Sequence, residues 1–237
     1  LRAEEDAVTL SAEQPLPAHA PSTWYRSFHH LQQLLDAYAG QEPDDEPGKP
    51  GHALSGYLRT IALSDPAAPV IAAAQARDLI AKGVLDSDAF VALELLPRPT
   101  GLSEPDYFVW LATVAELCEQ AADAGYPTSS DLPPTAWEWR QNYPVLHQLL
   151  AGYVGQDLEA EVPAAINAWA STADTVTLVR ALGECNRLIA SCHDRITLES
   201  ALTALGCDAE RPEPPAPWLR RLNSHLWSLC MRRSGEE

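Results

Sequence analysis

Trp24, Phe28, Leu31, Leu34, Leu35 and Tyr38 recur at spacings of three and four residues, which places them on one face of a helix ending at Gly40. A second helix is expected from His52 to Ala62. A third runs from Pro66, at the first helical position behind Asp65, to Gly83. Asp86 is placed to cap a short helix through Leu95, and Ser103-Glu-Pro-Asp106 reads as a capping box opening a longer helix to about Ala124. Another capping-box pattern, Thr135-Ala-Trp-Glu138, begins a second series, with helices expected at Pro144 to Val154, Pro163 to Ala170, Asp174 to Cys192, Thr197 to Leu205 and Pro217 to Arg233. No stretch alternates apolar and polar residues long enough to read as a strand, and the prolines gather in the connectors. The fold class predicted is all-α: two tandem helical units of about five helices each, packed as a helical-repeat-like bundle.

The two series share sequence as well as pattern. Leu31-Gln-Gln-Leu-Leu-Asp-Ala-Tyr-Ala-Gly-Gln41 matches Leu146-His-Gln-Leu-Leu-Ala-Gly-Tyr-Val-Gly-Gln156 at seven of eleven positions without a gap. Phe28 then aligns with Tyr143, Tyr57 with Trp169, Leu79-Ile80-Ala81 with Leu188-Ile189-Ala190, and Trp110-Leu111 with Trp218-Leu219. The offset drifts from 115 to 108, as connectors of unequal length between conserved helices would produce. We therefore expect a duplication: an extension at 1–22, a first unit at 23–125, a linker at 126–134, a second unit at 135–233 and a tail at 234–237.

Charge sharpens the contrast between the halves. Of the formal −17, residues 1–133 hold 20 acids and 7 bases, and residues 134–237 hold 13 acids and 9 bases. Such a field repels nucleic acid and anionic membrane and favours a basic protein partner, although acidity also serves solubility alone. The five cysteines form no C-x-x-C pair, and their odd number closes no complete disulfide framework, so reduced, mostly buried thiols are expected. No apolar run approaches the length of a membrane span, and Leu1 to Ala20 is acidic where a signal peptide is basic and then apolar; a cytoplasmic protein is expected.

Catalytic signatures are missing: there is no phosphate loop, no nucleophile elbow and no H-E-x-x-H. Neither a catalytic residue nor a cofactor is called for. Cys185, Cys192 and His193 lack zinc-ligand spacing, and Cys185 and Cys192, seven apart, read as two core positions on one helix face, so no metal is expected. His29-His30 reads as surface or core edge. Of seven tryptophans, most are expected to anchor helix packing and one or two to be exposed for a partner. Asp44-Asp45-Glu46 lies in a Pro/Gly-rich loop, where a charge run is either solvated or available to a basic partner.

The second series, from Tyr143-Pro-Val-Leu-His-Gln-Leu-Leu-Ala-Gly-Tyr-Val-Gly-Gln-Asp157 through Trp218-Leu219, resembles the small helical immunity proteins of bacterial contact-dependent growth inhibition systems. The resemblance covers about a hundred residues. It rests on an aromatic-x-x-Leu helix, a Gly-Tyr-x-x-Gln-Asp element and a late Trp-Leu pair. The first series keeps Tyr38, Gly40 and Gln41 but has Ala37 opposite Gly152 and Glu42 opposite Asp157. The resemblance implies a protein that binds and blocks a cognate toxin domain, with no turnover of its own. A nuclease-like toxin with a cationic groove would suit an acidic inhibitor. Tyr153, Gln156 and Asp157, which carry the resemblance, and the loop acids Asp44, Asp45 and Glu46 are the expected partner contacts. Tyr153 also reads as core and Asp157 as a turn cap. Two other readings remain open: a helical-repeat adaptor for an unrelated protein partner, and an enzyme whose carboxylates, Asp157 with Glu159 or Glu161, assemble only in the fold.

Overall fold

A computed structural model describes residues 23–82, 92–127, 132–154, 162–207 and 213–234. The first unit contains α1 (Thr23–Asp36), α2 (His52–Ser64), α3 (Ala68–Lys82), a helical turn at 92–95 and α4 (Glu104–Ala124). Then follow α5 (Ala136–Asn142), α6 (Pro144–Leu149) running into a π-helical turn at Leu150–Val154, α7 (Val162–Thr172), α8 (Thr175–Ser191), α9 (Arg195–Ala204) and α10 (Pro215–Ser234). The all-α expectation holds; the one β feature among the described residues is an isolated bridge between Glu46 and Lys49. The short helix expected from Asp86 begins outside the described residues.

Helix starts follow the side chains that satisfy their free N–H groups. Ser103 accepts from Asp106 N, Asp174 from Thr177 N and Asp194 from Thr197 N. At α5 the capping box is reciprocal: Thr135 Oγ1 accepts from Glu138 N, and Glu138 Oε2 accepts from Thr135 N. Several boundaries differ from the sequence expectation by two residues or more, and two of the shifts have a local cause. The α-helix of α1 stops at Asp36 rather than Gly40, because the chain tightens into i to i−3 hydrogen bonds from Ala37 to Ala39 before Gly40 turns at φ 75°. α3 begins at Ala68 rather than Pro66, since Asp65 Oδ1 accepts from Ala67 N and the Pro66 carbonyl accepts from the Tyr126 hydroxyl.

Both units kink their first helical segment at the same aligned aromatic. Phe28 leaves helical geometry at φ −125°, ψ 19°, and Tyr143 separates α5 from α6 at φ −134°, ψ 55°. A kink strips backbone N–H groups of their intrahelical acceptors, and burying one unpaired is costly. In the first unit Gln75 Oε1 on α3 accepts from Leu31 N at 2.8 Å; in the second, Glu184 Oε2 on α8 accepts from Leu146 N at 2.8 Å. Leu31 aligns with Leu146, and the register that pairs Leu79 with Leu188 pairs Gln75 with Glu184.

The apolar residues separate into two cores. One holds Leu31, Leu34, Tyr57, Leu79 and Leu111; the other holds Leu146, Leu149, Leu188, Trp218 and Leu222. Cys185 and Cys192 both lie in the second core, as their spacing predicts. α5 joins the two. Its Trp137 belongs to the first core beside Tyr57, and its Trp139 belongs to the second, stacked on Tyr143. Between them Glu138, only 3% exposed, receives Arg59 of α2 through two hydrogen bonds of 2.9 Å. Gly56 makes this approach possible, for a Cβ there would stand 2.7 Å from Glu138 Oε2. His52 Nε2 adds a 2.8 Å contact to the Pro133 carbonyl. Such a desolvated ion pair contributes little net stability, but it penalises any other docking of the units that would leave a charge unpaired.

Candidate partner-binding surface

The acidic loop of the first unit is built from within. Asp45 is half-buried, and its carboxylate accepts from the Tyr38 hydroxyl at 2.7 Å, the Trp110 indole at 3.0 Å and Gly51 N at 2.7 Å. Burial, reinforced by the Asp45 charge, holds the Tyr38 hydroxyl well above its ordinary value, so it stays a donor. Trp110 packs edge-on against Tyr38. Asp44 is exposed, yet its carboxylate accepts from His52 N at 2.9 and 3.1 Å and so caps α2. Gly51 fits beneath it because a Cβ would meet Asp44 Oδ1 at 2.0 Å. Glu46 is the most outward of the three, exposed and 3.9 Å from Lys49 Nζ. The loop thus fixes its shape with two carboxylates and shows solvent Asp44 and Glu46.

The other three expected contacts belong to the second unit. Tyr153 lies in the π-helical turn, half-buried and packed on the second core. Gln156 and Asp157 lie outside the described residues, as do Glu159 and Glu161. The expected contacts therefore fall on two different units: Asp44, Asp45 and Glu46 in one loop, Tyr153 against the other core.

Sequence reasoning left unspecified which tryptophan is exposed. Among the residues whose burial is described it is Trp227, 57% exposed on α10, with Met231 one turn further at 56%. The signal was available, since 227 falls off the stripe formed by Trp218, Leu222, Leu226 and Cys230. The α8/α10 pair differs in charge from the rest of the chain: it carries Arg180, Arg187, Arg220, Arg221, Arg232 and Arg233, and its one acid, Glu184, is buried. Burial raises the Glu184 carboxyl above its ordinary value, opposed by the Leu146 and Val145 N–H groups and by Arg187 and Arg180.

Nothing in the described residues assembles a reactive centre. The Cys118 and Cys185 thiols are pushed up to about 12 by burial, which keeps them protonated and unreactive. A cavity of about 240 Å³ between α8, α9 and α10 brings Cys192, His193 and Asp194 to one wall, but Asp194 is committed to capping α9 and His193 Nδ1 faces the Ser191 carbonyl. No group of three potential metal ligands occurs among the described residues, and no described helix is long and apolar enough to cross a membrane.

Residues 142–226 match the family model described as CdiI immunity protein. The matched segment runs from the end of α5 to Leu226 in α10, which is most of the second unit, and it contains the residues on which the resemblance was read. No curated protein and no solved structure matches the chain significantly.

Proposed function

We propose that this protein is a bacterial immunity protein that binds a cognate toxin domain in the cytoplasm and blocks its active groove, without any turnover of its own. The observation that carries this reading is the family match over 142–226. The formal charge of −17 supports a basic, nuclease-like toxin: an acidic surface gains association rate by steering and competes with the nucleic acid for the groove. Contact falls to Glu46 and the exposed Asp44, held in place by Asp45, and to Tyr153, Gln156 and Asp157 in the second unit. The two units are diverged copies in this reading, and the paired kinks at Phe28 and Tyr143 and the paired acceptors Gln75 and Glu184 support that history.

The test is copurification from the native organism at low and high salt, with mass spectrometry of the retained protein. Recovery of a cationic toxin domain whose retention falls as salt rises is the expected result. Recovery of an unrelated non-toxin partner, or retention indifferent to salt, would overturn the basic-toxin reading.

A further inference from the structure

α8 and α10 run antiparallel, and two contacts bracket their exposed sides. Asn223 Nδ2 donates to Asn186 Oδ1 at 3.1 Å toward one end, and Arg233 Nη1 donates to the Ala173 carbonyl at 2.7 Å toward the other. Between these contacts lie Val176, Val179, Trp227 and Met231, each 52% to 68% exposed. Arg180 borders them on α8 and Arg232 on α10, and Arg187 lies two turns beyond Arg180 with its guanidinium over the Tyr143 ring, all three exposed. Trp, Met and Arg are the residue types enriched in protein interfaces, and together they make a coherent patch rather than scattered apolar residues. Gly183 adds an independent observation. It sits in the middle of α8 on the exposed face, and a Cβ there would meet nothing within 4 Å. A helix-interior glycine costs about 1 kcal/mol relative to alanine, and no contact among the described residues offsets that cost. An open recess of about 420 Å³ lies over it, between Arg180 and Arg187.

The matching face of the first unit is the electrostatic opposite. α3 and α4 align with α8 and α10, so Val70 answers Val179, Asp78 answers Arg187, Glu119 answers Trp227 and Asp123 answers Met231. Val70 and Ile71 are exposed there at 42% and 38%, and Leu63, at the end of α2, is exposed at 74%. Tyr126 bonded to Pro66 and Arg77 paired with Glu119 fix the register that brings Asp123 alongside Val70. Asp78 is paired with Lys82 and Glu119 with Arg77, while Asp65, Glu116 and Asp123 add further carboxylates around the apolar residues.

We propose that the α8/α10 face docks on the α3/α4 face of a second copy of this chain. Each copy carries one apolar face bordered by arginines and one bordered by carboxylates, so the contact joins unlike faces of two copies, and it closes as a dimer where a two-fold axis brings both pairs of faces together. Pairing of the α8/α10 face with itself is disfavoured, because it would oppose arginine to arginine. The exposed valines and methionine suit a protein surface better than a nucleic acid, which the net charge also repels. This proposal is independent of the immunity reading.

The test is sedimentation equilibrium of the full chain against concentration and salt. Wild type is expected to associate, and to associate less as salt rises. Trp227→Ala, a change at an exposed site that leaves the circular dichroism spectrum unchanged, is expected to weaken association at least tenfold. A charge-swapped pair sharpens the test. Arg180→Glu with Arg187→Glu, and separately Glu116→Arg with Asp123→Arg, should each give a monomer, and mixing the two variants should restore a complex, because each then presents the sign the other lacks. A wild type that is monomeric throughout, or a dimer indifferent to all of these changes, overturns the proposal. A monomer in which Trp227→Ala abolishes protection against a toxin would assign the face to the toxin instead, and overturns it equally.

Discussion

Gln75 and Glu184 occupy the same place in the two units and do the same work, yet one is a neutral amide and the other a buried carboxyl. The first unit solves its kink without a charge in the core and carries its acids on loops and outer faces. The second buries one acid at the kink and lines its outer helices with arginine. Equivalent backbone problems thus leave the side-chain chemistry free, and that freedom is what a pair of related units needs if its surfaces are to do different things. The family match falls on the second unit, so the comparison also separates the part carrying the immunity signature from the part carrying most of the negative field.

The comparison breaks most visibly at the junction. Glu138→Ala leaves the largely buried Arg59 without its partner and removes half of the α5 capping box, a loss of about 3 kcal/mol. Urea unfolding is expected to split into two transitions in this variant, one per core; a single transition at the wild-type midpoint would show that the ion pair does not couple the units. Asp45→Ala comes next. Three donors, Tyr38, Trp110 and Gly51 N, lose their acceptor, for about 2 to 3 kcal/mol in the transition of the first unit alone.

A smaller contrast tests the aligned indoles. Trp110 donates to Asp45, whereas Trp218 Nε1 is buried without a partner among the described residues. Trp110→Phe is therefore expected to cost about 1 kcal/mol more than Trp218→Phe, measured as the difference of their unfolding free energies. The smallest effect is at the kink. Glu184 has its folded-state value raised by burial, so its contribution is fully present below the ordinary carboxyl range and is lost as pH rises through the raised value. Glu184→Gln should remove this pH dependence and change stability by less than about 1 kcal/mol at neutral pH. Gln75→Glu should introduce the same dependence in the first unit, and urea midpoints measured from acid to neutral pH check both.

Local chemistry was legible in the sequence. Ser103 and Thr135 cap the helices they precede, because a cap needs only neighbours three residues away, whereas the same role of Asp174 and Asp194 was not read. What the sequence concealed is long-range. Phe28 and Tyr143 align as aromatics, but nothing local shows that each marks a kink whose free N–H is met from 44 or 38 residues away. Asp45 looked like loop solvation because its partner Trp110 is 65 residues distant. Glu138 was readable as a capping residue and not as the partner of Arg59, 79 residues upstream. Of the expected contacts in the second unit, only Tyr153 has a described place, half-buried against the core as its apolar stripe suggested.

The central claim, that the chain neutralises a toxin by binding, is tested most directly by growth. The toxin domain recovered with the chain, or encoded beside its gene, is expressed in a sensitive host with and without the full chain. The account predicts arrested growth with the toxin alone and restored growth with the chain present. Growth that stays arrested at matched levels of folded chain would contradict it.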